Sequence, residues 1–397
     1  MFMRAYRYLI LGGGMTAAAA AQGIREAGGQ GKIGLISTER FNPYNRPPLT
    51  KKLWQGKPES IIWRELPADV DLLLDRRIVS IDPQQKRLRD ASGEELGYER
   101  LLLATGGTPR KLPFGGEDIL YYRTLADYYT IRSWTGQGKR LGIIGGGFIG
   151  SELAASLCAN GEQVVMVFPD AAIGARVYPS DLAEFVTGYY REKGVDVRAG
   201  MAVRGVSRRD QRLVMQGEQG QEIEVDHIIA GIGIRPDTAL AQPIGIQLDE
   251  ATAGIQVDEY LRTSQPDIYA AGDVAAFFNP ALGKRIRVEH ADNADAMGRT
   301  AGLNLGGQPT AYNYLPFFYS DLFDLGYEAV GELDPRLETY ADWQEPFRQG
   351  VVYYLNQGQV RGVLLWNTWD QVDAARRLIT GGRRYEISEL KGRLPEK

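Results

Sequence analysis

The stretch Tyr8–Ala21, YLILGGGMTAAAAA, reads as a short apolar strand that runs into a glycine turn and then an alanine-rich helix. Gly12, Gly14 and Ala17 fall on the G-x-G-x-x-G/A spacing of a dinucleotide-binding βα unit. The spacing gives one small residue for the tight turn, one for close approach of the backbone to a pyrophosphate, and one for packing helix on strand. N–H groups at the start of such a helix have no partner within it and point at the anion. A glycine turn with no ligand can carry the same letters, so the surroundings decide. Lys32–Ser37 (KIGLIS) supplies a second strand, and Glu39 follows where a carboxylate accepts from ribose hydroxyls.

A second unit of the same kind lies at Arg140–Leu157, RLGIIGGGFIGSELAASL, with Gly145, Gly147 and Gly150 on the full spacing. The strand after it, Val164–Phe168, ends at Pro169-Asp170. A carboxylate there bonds an adenosine ribose and repels a 2′-phosphate, which favours NADH over NADPH. Between the two units, Tyr98–Pro109 (YERLLLATGGTP) is an apolar strand that stops at Thr105-Gly106-Gly107, a strand end of the kind where doubly wound sheets bind ligands. Val195–Val214 and Gln221–Ile234 read as strands closing the second unit, with Gly233 at another strand end. His227 there reads as structural. Pro266–Val274 (PDIYAAGDV) is a further strand with an acid, Asp273, directly after its glycine, and it needs a sheet to join. The chain is therefore expected to leave the first nucleotide domain, build the second and return.

The fold class is α/β: two Rossmann-like dinucleotide-binding domains, one inserted in the other, plus a C-terminal α+β domain. The expected boundaries are 1–127 with 255–310 for the first domain, 128–254 for the second and 311–397 for the third. At 397 residues, 44% hydrophobic and 24% charged, the chain has length for two or three cores. A net charge of −4 argues against nucleic acid or an anionic membrane as main partner, and the basic run Gly283–Arg287 (GKRIR) reads as a solvated loop. No apolar run reaches the length of a membrane span, and the start MFMRAYRYLI enters a strand with no leader, so the expected location is cytoplasmic. One cysteine, Cys158, and two histidines leave neither a dithiol nor a metal cluster.

Phe41–Trp54 (FNPYNRPPLTKKLW) is proline-rich and reads as a stiff loop in which Arg46 and Lys51 are either positioned cations or surface ones. Val70–Leu88 is strand-like. Arg287–Ala301 (RVEHADNADAMGRTA) reads as a helix start carrying Glu289 and His290, the latter a candidate for the reacting face. From Ala311 the chain turns aromatic, with strands at Gly326–Gly331, Gly350–Leu355 and Val360–Trp366, a helix at Asp370–Leu378, and only a short loop between Leu333 and Gly350.

Taken together, LGGGMTAAAA, PYNRPPLTKKLW, LLATGGTPRKL, IIGGGFIGSELA, YAAGDVAAFF, GKRIRVEHAD, YSDLFDLGYEAVG and GVLLWNTWD resemble the apoptosis-inducing-factor group of FAD/NAD(P)-dependent, pyridine nucleotide-disulfide oxidoreductase-like flavoproteins over nearly the whole length. Ferredoxin and rubredoxin reductases share the glycine motifs, the RPPL loop and the AGD strand, whereas GYEAVG and LLWN are more similar to the former group. The resemblance implies FAD on Gly12, Gly13, Gly14, Met15, Thr16, Ala17, Glu39, Arg46, Lys51, Val79, Thr105, Gly106, Arg110, Asp273 and His290. It implies NAD on Gly145, Gly147, Phe148, Ile149, Gly150, Asp170, Gly233, Glu289, Glu328 and Asn367. It implies catalytic roles for Lys51, Glu152 and His290: Lys51 and Glu152 form an ion pair near the flavin N5, and a cation there stabilises charge arriving with the hydride.

The activity implied is hydride transfer from NADH to flavin, with a long-lived reduced flavin–NAD charge-transfer complex. An NADH-dependent ferredoxin or rubredoxin reductase is the alternative, and a binding protein that forms a homodimer on reduction is another. The acceptor is not written in the residues; a quinone or a small redox protein would serve. Tyr319 stands where relatives usually carry tryptophan, and Asn42, Pro43 and Tyr44 stand where thiol-using cousins carry a cysteine, which argues against disulfide or peroxide reduction. The short Leu333–Gly350 segment and the absence of a presequence argue against transfer of the apoptotic role.

Overall fold

The computed structural model describes residues 4–395, so the reading of the chain start at residues 1–3 and the last two residues of the third domain lie outside it. The chain forms two compact units, each assembled from separate stretches. One holds the chain through Arg46, then Glu59–Thr108 and Arg235–Pro316; the other holds Pro47–Pro58, Pro109–Ile234 and the chain from Phe317.

In the first unit the apolar strand Arg4–Leu11 lies at the centre of a seven-stranded sheet, parallel to Ile33–Ile36 on one side and to Glu95–Leu103 on the other. Val70–Leu73 extends the sheet beyond Ile33–Ile36. Glu95–Leu103 is long enough to serve two partners on its far edge. Its first residues pair antiparallel with Arg87–Asp90, and Leu101–Leu103 pair parallel with Ile268–Ala270. The strand that follows the second nucleotide unit in sequence therefore returns to the first sheet, which makes one Rossmann-like domain an insertion in the other. Leu9, Ile10, Ile33, Leu35, Leu101 and Leu102 are fully buried, as parallel strands covered on both faces require.

The helices Met15–Glu26 and Ala291–Gly306 pack together through their small residues. A Cβ on Gly298 would stand 2.5 Å from the Thr16 carbonyl oxygen, and one on Gly302 would stand 2.2 Å from that of Ala20. The alanine run Ala17–Ala21 and the glycines facing it are thus the condition for two backbones to approach this closely.

The second unit contains a five-stranded parallel sheet in the order Asp196–Ala199, Gln163–Phe168, Arg140–Ile144, His227–Ala230, Ile119–Tyr121. It also contains an antiparallel five-stranded sheet in the order Phe317–Leu322, Leu325–Gly331, Gln359–Trp366, Gln349–Asn356, Glu338–Glu345. Trp366 and Tyr327 are fully buried and stack at 5.7 Å, with Tyr178 edge-on to both, and Tyr354 Oη donates to the Val177 carbonyl at 2.7 Å. The C-terminal aromatics are therefore core, shared with the segment that follows the Asp170 strand end.

Three local expectations are corrected. Leu333–Gly350 is not only a loop, because Glu338–Glu345 is an edge strand paired with Gln349–Asn356. It is partly exposed along its whole length, so it lacks the alternation that marks a half-buried strand. GKRIR is not a solvated loop: Lys284–Ile286 is a strand, and Arg285 Nη1 donates to the carbonyls of Val257 and Ala276 at 2.8 Å. The helix begins at Ala291 rather than Arg287, whose guanidinium instead bonds the Asp273 carbonyl at 2.9 Å. Among the described residues no helix is long and apolar enough to cross a membrane.

Candidate active site

The two fingerprints have the same local geometry. Gly12 sits at φ +133° with the Ala104 carbonyl oxygen 2.0 Å from where a Cβ would be, and Gly145 sits at φ +127° with the Gly231 oxygen at 2.4 Å. Each lies against the end of the neighbouring strand, where both the backbone angle and the space demand glycine. The second glycines, Gly14 and Gly147, are the N-caps of the helices Met15–Glu26 and Phe148–Ala159, and a Cβ on either would meet nothing within 4 Å. Open space in front of uncapped helical N–H groups is what a pyrophosphate needs. The third positions are packed: Ala17 is fully buried, and a Cβ on Gly150 would stand 2.1 Å from the Gly145 oxygen.

In the first unit Glu39 accepts from Tyr44 Oη at 2.6 Å and from Arg46 Nη2 at 2.7 Å, and the Arg46 guanidinium lies 5.2 Å over the Tyr44 ring. Burial works against the Arg46 charge, but Tyr44, Glu39 and Asp273 outweigh it and hold the guanidinium above its ordinary range. Thr105 Oγ1 donates to the Asp237 carbonyl at 2.7 Å, and Gly106 takes φ +66°. Asp273 lies in the turn Gly272–Val274, where Gly272 at φ +79° packs on Thr16 and its N–H points at Met297 Sδ, 3.1 Å away. His290 is the N-cap of Ala291–Gly306; burial pushes its imidazole down to about 4 and Asp273 pulls the other way. Glu289 is held by Arg287 at 2.6 Å. Val79 is half exposed on the strand Ile78–Asp82.

In the second unit the Pro47–Thr50 turn is fixed from three sides. Leu49 O accepts from Trp54 Nε1 at 2.8 Å and Tyr122 Oη at 2.5 Å, and Thr50 O accepts from Ser156 Oγ at 2.6 Å. This sets the position of Lys51, whose Nζ lies 2.6 Å from Glu152 Oε1 and 5.1 Å over the Tyr319 ring. Glu152 also accepts from Ser320 Oγ on Oε1 and Thr50 Oγ1 on Oε2, both at 2.6 Å. Lys51 and Glu152 are both buried, so the pair is shielded from solvent screening. Phe148 and Ile149 open the helix beyond Gly147 and are partly exposed, and the Phe148 ring meets Phe318 edge-on at 5.2 Å.

Asp170 accepts from Arg176 at 3.2 Å, so its charge is partly met within the chain. Gly233, at φ +90°, accepts from the Arg110 N–H at 2.9 Å, and both line a shallow pocket with Ile149 and Tyr122. Glu328 Oε2 is buried with no hydrogen-bond partner, and burial, reinforced by Asp370, pushes its carboxyl up. A buried carboxyl oxygen left without a partner in this way fits a donor on a ligand, while the Asp370 backbone pulls the carboxyl the other way. Asn367 is already engaged: its Oδ1 accepts from the Gly326 N–H at 2.8 Å and its Nδ2 donates to Arg348 O at 2.9 Å.

The structure thus brings together Lys51, Glu152 and Tyr319 in one unit and Glu39, Arg46, Asp273 and His290 in the other. Reading the sequence missed Thr50, Ser320, Asp321 and Arg176. Thr50 is the neighbour of Lys51 in the RPPLTK stretch, and Ser320 and Asp321 follow Tyr319, so the signal was adjacency to residues already singled out.

The family model described as pyridine nucleotide-disulphide oxidoreductase matches residues 6–298, and the model for the apoptosis-inducing factor C-terminal region matches residues 340–381. A mitochondrial apoptosis-inducing factor 1 of Dictyostelium discoideum is 32% identical, with 96% of this chain and 79% of that protein covered. The ferredoxin reductase subunit of a 5,5′-dehydrodivanillate O-demethylase from Sphingobium is 34% identical, covering 96% of this chain and 95% of that one. Among solved structures, a covalent putidaredoxin reductase–putidaredoxin complex is similar at TM-score 0.89 and 30% identity, over 96% of this chain and 95% of the other. Apoptosis-inducing factor and ferredoxin reductases are equally near, so the preference for the first group drawn from GYEAVG and LLWN does not follow from overall similarity.

Proposed function

Because the chain belongs to the pyridine nucleotide-disulphide oxidoreductase family, whose members bind FAD and use NAD(P)H, we propose that this flavin oxidoreductase is specific for NADH and works in the manner of apoptosis-inducing factor. Bound FAD supplies an acceptor for the electron pair of the nicotinamide and a store from which it leaves. Gly12–Ala17, Glu39, Arg46, Thr105, Asp273 and His290 hold the first dinucleotide. Gly145–Gly150, Asp170, Gly233 and Glu328 hold the second. The observation that carries the reading is the buried Lys51–Glu152 pair at 2.6 Å, a fixed cation able to stabilise charge as it arrives without reorganising at that moment. Exposed Phe148 supplies an aromatic face beside the second fingerprint. The apoptosis-inducing factor C-terminal model matches residues 340–381, which supports that group, and resemblance to it implies a long-lived complex of reduced flavin with the oxidised nucleotide.

The test is anaerobic titration with NADH followed by admission of air. A long-wavelength absorbance band that outlasts the air supports the reading. Reoxidation within seconds with no band would place the chain instead with the ferredoxin reductases. The 34% identity to such a subunit favours that second reading, in which an iron–sulfur protein takes the electrons singly.

A further inference from the structure

Glu152 is reached by three donors. Lys51 Nζ and Ser320 Oγ meet Oε1, and Thr50 Oγ1 meets Oε2, each at 2.6 Å. All four side chains are buried, with Thr50 at 3% exposure and Ser320 at 1%. The two hydroxyls come from different elements: Thr50 from the proline turn, Ser320 from the strand Phe317–Leu322. The residue after Ser320 carries a second carboxyl, Asp321. Asp321 is pushed up by its own burial, pulled down by Lys51 and pushed up further by Glu152, so it lies within the field of the same ion pair. Lys51 lies 5.1 Å over the Tyr319 ring, and Tyr319 and Asp321, two residues apart on the strand Phe317–Leu322, share one of its faces. An ammonium is a compact point charge with no preferred plane, on a flexible stem, and it settles on whichever carboxylate is held more firmly.

We propose that Ser320 and Thr50 are positioning residues that clamp both oxygens of Glu152, so that Glu152 and not Asp321 fixes where the Lys51 charge sits. A carboxylate bonded on one oxygen can swing about its Cγ–Cδ bond, whereas one bonded on both cannot without breaking a hydrogen bond. The bond to Glu152 is the shorter of two open to Thr50 Oγ1, which also lies 3.3 Å from the Pro47 carbonyl oxygen, and a charged acceptor is the stronger partner. Among the described residues Asp321 has no such pair of hydroxyl donors, although it adjoins Ser320 in the chain. The inference rests on the functional reading above for its catalytic consequence, but not for its geometry.

The experiment uses the purified flavin-bound protein and four variants: Ser320→Ala, Thr50→Val, Ser320→Thr, and Ser320→Ala combined with Asp321→Asn. A crystal structure of Ser320→Ala is expected to show Lys51 Nζ bonded to Asp321. A Lys51–Glu152 contact unchanged from wild type in both Ser320→Ala and Thr50→Val overturns the clamp. In anaerobic stopped-flow, Ser320→Ala and Thr50→Val each slow the limiting rate of flavin reduction about tenfold, while the apparent NADH affinity changes by less than about twofold, as loss of positioning rather than binding requires. Ser320→Thr keeps the wild-type rate. Adding Asp321→Asn to Ser320→Ala restores most of the rate, which repair of a merely structural defect would not do; failure to restore it counts against the proposal. If Lys51 moves to Asp321 and the rate is unaltered, the clamp stands and the catalytic role given to Lys51 falls.

Discussion

A buried lysine held 2.6 Å from a carboxylate is useful only if its charge is needed where it stands. Replacing Lys51 by alanine is expected to slow flavin reduction by NADH by roughly tenfold to a thousandfold, the range for loss of one preorganised charge donor. The flavin absorbance should be retained, and an unaltered stopped-flow rate would remove Lys51 from the chemistry. His290 offers a test of a different kind. Burial takes its imidazole to about 4 against the opposing pull of Asp273, so it is neutral at pH 7. The ordinary value of about 6.5 applies to the unfolded chain, which therefore binds the proton first as pH falls. His290 then contributes no pH dependence above that value, and stability is lost progressively from there down toward pH 4. Ring-proton NMR can follow this directly, since the chain has two histidines and His227→Asn assigns the other; a His290 midpoint near 6.5 would contradict the packing described. Lys51 and Glu152 were named from their resemblance to a family motif, and the structure brings them together. Ser320 and Thr50 were not, because a hydroxyl announces no partner in sequence and these two meet Glu152 across separations of 168 and 102 residues.

Elements were legible where one local rule sufficed. Each glycine fingerprint states its own strand, turn and helix, and the Pro266–Val274 strand declared that it needed a sheet, which it finds beside Leu101–Leu103. Glu338–Glu345 was missed because an edge strand exposed along its length has no apolar period to read. The GKRIR run was misread because the sequence does not show that Arg285 turns inward to backbone carbonyls. The glycines of Ala291–Gly306 allow a quantitative test. Gly302→Ala places a methyl about where the Ala20 oxygen already is, so it is expected to cost about 1–3 kcal/mol and to weaken retention of flavin. Gly188→Ala, in the helix Ser180–Glu192 with open space around it, should instead stabilise by about 0.4–1 kcal/mol. Thermal melts of the two variants decide this, and equal shifts would mean that the Met15–Glu26 contact is not close. At the end of Gln163–Phe168, the Asp170 carboxylate should make NADH much more efficient than NADPH, with Asp170→Ser narrowing the gap. Arg176, salt-bridged to Asp170, limits the size of that preference. Equal kcat/KM for the two nucleotides in the unmodified protein would refute the assignment.

For the molecule as a whole, the reading from sequence captured two Rossmann-like domains, one within the other, because each domain opens on a motif and closes on a strand that has to return. What it could not show was how intimately the C-terminal sheet joins the Tyr178 segment, since the edge-on contacts of Tyr178 with Tyr327 and Trp366 join residues far apart in the chain. Deleting the chain from Phe317 onward would strip Tyr178 of both ring partners and Glu152 of Ser320. Loss of several buried aromatics, each contributing about 1.5–3 kcal/mol, exceeds the stability of most domains, so the fragment ending at Pro316 should be insoluble or bind a hydrophobic dye. A fragment that is monomeric and binds NADH like the full chain would show otherwise. The order of residues within the first sheet has a further consequence, for synthesis rather than for catalysis. A ribosome delivers Arg4–Leu11 and Glu95–Leu103 early, but their parallel companion Ile268–Ala270 and the covering helix Ala291–Gly306 only after the whole inserted domain has emerged. Until then Leu101–Leu103 is an uncovered apolar strand edge, the kind of surface on which nascent chains adhere to one another. Nesting one nucleotide domain inside another thus delays completion of the first sheet until about two thirds of the chain has been made.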